Sequence, residues 1–149
     1  MQEPGYKRPC VVFLCAANSC RSQMAEAWCH TLRPQLDVYS AGVLSAGGLN
    51  PRMVTVMKEV GIDLEKFGQK SKKLDTLLET GVKPDVVVTV CTEAAACPAV
   101  PTMHCPTVIR AAFDDPPQLE KATSTEQDAL DCYRKVRDQI REYIIQMKF

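Results

Sequence analysis

The chain has 149 residues, 18 basic and 18 acidic, and this even balance supplies no net field to draw it to nucleic acid or to an anionic membrane. A chain of this length can bury a core without staples, so one domain over 1–149 is expected. No apolar run approaches the roughly 20 residues of a membrane helix, and the opening MQEPGYKRP lacks the apolar stretch of a secretory signal, so a cytosolic protein is expected. Eight cysteines stand out: Cys10, Cys15, Cys20, Cys29, Cys91, Cys97, Cys105 and Cys132. A reducing compartment argues against a disulfide scaffold, which leaves catalytic or redox thiols, or a metal site. With no C-x2-C pair and only His30 and His104 to join them, a zinc site built from Cys91, Cys97, His104 and Cys105 is the weaker alternative. No metal or other cofactor is expected.

In chain order, Val11–Leu14 reads as a short apolar strand. A loop of small residues follows, Cys15-Ala-Ala-Asn-Ser-Cys-Arg21, and then a helix opening at Ser22. Asp37–Ala41 is a second strand, ending at Gly42, and 45–50 is a glycine-containing turn. Asn50-Pro51 pairs an N-cap with a first-turn proline and opens a helix to about Val60. Its Val54, Met57 and Val60 recur at helical spacing, as core residues do. Ser71–Thr80 suits another helix, with Leu74, Leu77 and Leu78 on one face and Gly81 as its stop. Asp85–Cys91 is a near-continuous β-branched run, the pattern of a strand buried on both faces. Thr107–Ile109 is a further strand, and the spacing of Leu130, Tyr133, Val136, Ile140 and Ile144 predicts a long closing helix over about 124–147. The charges of that helix, Arg137 among them, are expected to form a solvated face.

Strands alternating with helices predict an α/β fold with an open parallel sheet covered on both faces. Ligands of such sheets bind beyond the carboxyl ends of the strands. Cys15 and Cys91 stand at two such ends, so both thiols are expected at one edge.

The loop itself suggests a chemistry. Small residues between a strand and a helix let successive backbone N–H groups face a bound anion, and the helix N-terminus adds its positive end. Arg21 can offer a bidentate fork to two oxygens, and the same field favours a thiolate at Cys15. Ala16, Ala17, Asn18, Ser19, Cys20, Arg21 and Ser22 are thus candidate oxyanion-binding residues, with Cys15 as nucleophile. Ser22 is placed to cap the helix and to donate to the thiolate.

The stretch CAANSCRSQMAEAW resembles the phosphate-loop signature shared by the low-molecular-weight protein tyrosine phosphatases and the arsenate reductases built on that fold. The resemblance continues through VYSAG, the NP-initiated helix, DVVVTVC, AFDDP and VRDQI, nearly the whole chain. It implies a four-stranded parallel sheet, Cys15 as nucleophile, Arg21 as clamp and Asp115 as general acid, with Asp114 as the second candidate. The plain alternative for Asp-Asp-Pro-Pro is a polar turn. Gln23 after Arg21-Ser22, Pro117 where the phosphatases have tyrosine, and Cys91 and Cys97 in VCTEAAACP all resemble the reductases. Their pattern implies a relay in which Cys91 and then Cys97 resolve the adduct on Cys15, with thioredoxin or another thiol protein as donor, arsenate or phosphate as the bound oxyanion, and a monomeric enzyme.

Two departures from that pattern matter. Five residues separate Cys91 from Cys97, where the thioredoxin-coupled pattern has six, and Cys105 is a further candidate resolving thiol. Some reductases of the family hold potassium through Asn, Glu, Ser and Asp; Asn18, Glu26 and Ser40 match three of these, but Lys72 stands at the fourth, so no potassium site is expected. Cys20 either protects Cys15 by reversible pairing or is simply small, and Cys10, Cys29 and Cys132 read as core residues. A tyrosine phosphatase is the first alternative function; a thiol redox sensor or metal-binding protein is the second.

Overall fold

Residues Cys10–Cys15 form strand β1, and every one of them is buried. Successive side chains of a strand point to opposite faces, so full burial requires that both faces of the sheet be covered. The computed structural model describes residues 8–44, 46–92 and 107–148. Strand β1 leads through the 15–21 loop into helix α1 (Arg21–Leu32), and strand β2 (Asp37–Gly42) follows. Helices α2 (Pro51–Glu59) and α3 (Leu74–Glu79) then precede strand β3 (Val86–Thr89). Strand β4 (Thr107–Arg110), helix α4 (Pro116–Glu120) and the long helix α5 (Glu126–Gln146) complete the order.

The four strands lie in the order β2-β1-β3-β4, all pairs parallel, which is the open sheet expected from the alternation of elements. The register pairs Cys15 with Gly42 and Leu14 with Thr89, and Val90 N donates to Leu14 O at 2.9 Å. Both strands beside β1 therefore end level with it. Cys15 and Cys91 emerge at the same carboxyl edge, as the alternation implied.

Helix α5 seals the core with Tyr133, Val136, Ile140 and Ile144, all at 0% exposure. Trp28 of α1 reaches it through a hydrogen bond from Nε1 to Arg137 O at 3.1 Å. Helix α2 begins as its sequence predicts: Asn50 Oδ1 accepts from Met53 N at 3.1 Å, and Pro51 takes the first turn. Thr125 caps α5 in the same way, accepting from Asp128 N at 3.1 Å.

Five expectations need correction. Val60, read with Val54 and Met57 as a core position, follows the last residue of α2 and is exposed. The helix predicted from Ser71 starts only at Leu74, because residues before it are drawn out along the 15–21 loop: Gly42 N donates to Lys72 O at 2.8 Å and Lys72 N to Asn18 Oδ1 at 3.0 Å. The Asp-Asp-Pro-Pro run is not only a turn but the start of α4, with proline at its first position. Helix α1 starts at Arg21 with Cys20 at the cap position and no side-chain cap bond, so Ser22 is not its cap. Arg137, assigned to a solvated face, is buried and donates from NH1 to Val56 O at 2.9 Å and to Glu59 at 3.0 Å. The backbone carbonyl and the carboxylate offset the cost of burying its charge.

Candidate active site

The 15–21 loop takes its shape from the segment that follows β2. Val43 N donates to Cys15 O at 2.9 Å, Leu44 N to Ala16 O at 3.0 Å, Gly47 N to Ala17 O at 2.8 Å and Asn50 N to Ser19 O at 2.9 Å. Four loop carbonyls are thus turned outward. No peptide bond among the described residues is cis, so the following N–H groups, those of Ala16, Ala17, Asn18 and Cys20, point the opposite way. Such a concave set of amides is what a tetrahedral anion needs. Gly47 suits the close approach: a Cβ there would lie 3.2 Å from Ala17 Cβ, tighter than an ordinary contact.

Asn18 holds the curve of the loop. Its backbone is left-handed, with φ of +51°, a region asparagine tolerates better than most residues. The buried side chain uses all of its capacity. Nδ2 donates to Ser22 Oγ at 2.8 Å and to Ser40 Oγ at 2.9 Å, while Oδ1 accepts from Gln23 Nε2 at 2.8 Å and from Lys72 N at 3.0 Å. Ser22 Oγ accepts from Asn18 and lies 2.8 Å from Cys15 Sγ, in a hydrogen bond open to either direction. The expected pairing of Ser22 with the Cys15 sulfur is in place, although the expected cap is not. Ser40 Oγ donates to Glu26 Oε1 at 2.7 Å.

The same network does not fit a potassium ion. Both acceptor sites of the Asn18 oxygen are occupied, and the Lys72 ammonium stands 3.9 Å from Glu26 Oε1. A fixed positive charge already faces the carboxylate. Gln69, which no sequence pattern singles out, locks Gln23 in turn by donating from Nε2 to Gln23 Oε1 at 2.6 Å.

Arg21 is buried and ties three segments together at the mouth. NH1 donates to Phe113 O at 3.0 Å and to Thr92 Oγ1 at 3.5 Å, and NH2 lies 3.7 Å from Asp115 Oδ1. Asp115 is half-buried and faces this guanidinium, whereas Asp114 is exposed. Geometry thus separates the two carboxylates that the sequence left open. Cys91, adjacent to Thr92, is buried at 7% exposure. Cys97 and Cys105 lie outside the described residues, as do three of the four residues considered for zinc. No cluster of metal-ligating side chains occurs among the described residues.

Cys20 differs from Cys15 in its surroundings. Burial, followed by the negative charges of Asp115 and Cys15, pushes its thiol well above the ordinary value. It stays protonated at neutral pH and is a poor nucleophile. Iodoacetamide at neutral pH is therefore expected to spare Cys20, which peptide mass mapping will read. Burial also pushes the Cys29 thiol up to about 12, consistent with a core residue. Cys132 packs only partly against the core and donates to Asp128 O at 3.5 Å.

Comparison with known proteins agrees with this geometry. The model of the low molecular weight phosphotyrosine protein phosphatase family matches residues 10–148. An arsenate reductase of Halalkalibacterium halodurans is 44% identical over 136 residues, covering 90% of this chain and 91% of that one. A solved arsenate reductase in its phosphate-binding state superposes with a TM-score of 0.66 at 30% identity, covering 91% of this chain and 93% of that one. A thioredoxin-dependent arsenate reductase of Corynebacterium glutamicum gives a TM-score of 0.57 at 25% identity, covering 93% of this chain and 61% of that longer one. With its loop of inward-turned amides, its parallel sheet and a match running from β1 to the end of α5, the chain belongs to the low molecular weight phosphotyrosine protein phosphatase family.

Proposed function

We propose that this chain reduces arsenate to arsenite through Cys15, Cys91 and Cys97, with an external thiol protein closing the cycle. The observation that carries the reading is the reach of Arg21 to Thr92, which ties the nucleophile loop to the segment bearing a second buried cysteine. Phosphate-ester hydrolysis has no use for that cysteine. The arsenate reductases among the relatives, and the thioredoxin-dependent one in particular, support the substrate and the donor class.

In this reading the Cys15 thiolate attacks arsenic, and Asp115 gives a proton to the departing oxygen, which leaves as water. The loop amides and the Arg21 fork hold the remaining oxygens. The Cys91 thiolate then attacks Cys15 Sγ. The S–As bond breaks with its electron pair going to arsenic, so As(V) becomes As(III) and arsenite leaves as a Cys15–Cys91 disulfide forms. Cys97 attacks Cys91, which frees Cys15 and leaves a Cys91–Cys97 disulfide for thioredoxin to reduce. The balance is one arsenate and two thiols giving one arsenite, one disulfide and one water. Each exchange needs the two sulfurs to approach to about 2 Å. All three cysteines come from one chain, which is read as a cytosolic monomer; gel filtration checks the oligomeric state.

The test follows NADPH oxidation with arsenate, thioredoxin and thioredoxin reductase, beside hydrolysis of p-nitrophenyl phosphate. Arsenate-dependent oxidation is expected, and fast phosphate release without it would make the chain a phosphatase. Turnover of neither substrate would favour a redox sensor. Because Lys72 supplies the charge beside Glu26, the reductase rate is expected not to rise when potassium replaces sodium; a clear rise would contradict that assignment.

A further inference from the structure

Asp115 is held by more than Arg21. It directly precedes α4, and the last residue of that helix, Glu120, is fixed from two sides. Arg52 NH1 donates to its Oε2 at 2.6 Å, and Tyr133 OH donates to its Oε1 at 3.1 Å. Arg52 is itself fixed by Glu126, the first residue of α5, through Nε at 3.0 Å and NH2 at 2.7 Å. Tyr133 is wholly buried, and its hydroxyl accepts from Asn50 Nδ2 at 3.1 Å. Asn50 in turn donates from its backbone N to Ser19 O in the phosphate loop at 2.9 Å.

An unbroken chain of hydrogen bonds thus joins the phosphate loop to the helix that carries the carboxylate: Ser19, Asn50, Tyr133, Glu120, then α4. A buried hydroxyl is costly unless bonded, and a phenylalanine would fill the same space at position 133 without that demand. The hydroxyl does what a phenyl ring cannot, because it fixes Glu120 relative to Asn50. The distance between Asp115 and an oxyanion in the loop is then set by a rigid strut and not by the 113–116 turn alone.

We propose that Tyr133 and Glu120 are positioning residues that hold α4, and with it Asp115, at proton-donating range of the group leaving the phosphate loop. This rests on the reading of Asp115 as the general acid. Neither residue touches the substrate. Their effect is on acid placement, so it grows with the need of the leaving group for a proton.

Aryl phosphates read that need directly. Attack by Cys15 forms an S–P bond as the P–O(aryl) bond breaks, and the aryl oxygen takes its proton from Asp115. Phenolate is a poor leaving group and depends on the proton; p-nitrophenolate depends on it far less. Tyr133→Phe is expected to lower kcat/KM for phenyl phosphate about tenfold and that for p-nitrophenyl phosphate less than about twofold, since misplacing a catalytic group by about 1 Å can cost up to about a hundredfold. Inhibition by inorganic phosphate is expected to be unchanged, because the loop itself is intact. Glu120→Ala should show the same selective loss, and Glu120→Gln, which keeps an acceptor for Tyr133, should restore most of it. Equal losses on both esters, or no loss in Tyr133→Phe, would overturn the proposal. Asp115→Asn serves as the reference. If it too fails to discriminate between the esters, the reading of Asp115 as the acid falls; if it discriminates and Tyr133→Phe does not, only the strut falls.

Discussion

Cys91→Ser is expected to lower thioredoxin-coupled arsenate turnover by more than about a thousandfold, or ~4 kcal/mol on the barrier, with hydrolysis of p-nitrophenyl phosphate held within about twofold. In the proposed cycle the two reactions share their first step, attack by Cys15, and diverge afterwards. A phosphoryl adduct on Cys15 is released by water, whereas an arsenic adduct is resolved only by a thiol that takes the place of arsenic on sulfur. Serine at position 91 fills nearly the same buried space and lacks the nucleophile. Cys15→Ser should remove both activities together. If Cys91→Ser retains arsenate turnover, resolution comes from another thiol and the relay is wrong; if it loses both activities, Cys91 supports the fold of the site and not the chemistry.

Arg21→Lys is the second large effect. Lysine keeps the charge but not the planar fork, so the two-oxygen grip on a tetrahedral anion is lost. Arg21 also anchors Phe113, Thr92 and Asp115 in the structure, and a single ammonium cannot reach all three. Removing one preorganised oxyanion donor costs about a hundredfold to a thousandfold, so kcat/KM for arsenate is expected to fall by at least that range. Affinity for phosphate as a competitive inhibitor should weaken in parallel, since in the proposed site the same fork holds the ground-state anion. A variant that binds phosphate normally would mean that the loop amides alone carry the anion.

The sheet and its site were legible where the physics is local. The β-branched run before Cys91 and the apolar run before Cys15 could only be buried strands, and an even alternation with helices placed both cysteines at one edge. Asn50-Pro51 announced α2 by cap chemistry that operates within four residues. Ser22 was half legible. Its neighbours in sequence suggested a cap, but the hydroxyl is instead paired with Cys15 and Asn18. What escaped the sequence depends on residues far apart in it. Residues 71–73 suited a helix by composition and are instead pulled straight by Asn18 and Gly42 at the sheet edge. Arg137 looks like one more surface charge until α5 is laid against the carbonyl of Val56. Helix α4 is too short to leave a periodic signature, yet its last residue links Arg52 and Tyr133 over separations of 68 and 13 residues. Tyr133 itself sits at a core position of α5, where nothing in the spacing tells a tyrosine that uses its hydroxyl from a ring that only packs.

The most direct test of the three-thiol account is to mix fully reduced protein with excess arsenate, with no donor present, quench with an alkylating agent and map the disulfide that remains. The account predicts one arsenite released per chain, an accumulated Cys91–Cys97 disulfide and a free, alkylated Cys15. A Cys91–Cys105 pair, a persistent Cys15–Cys20 pair, or arsenite release with no disulfide at all would contradict it.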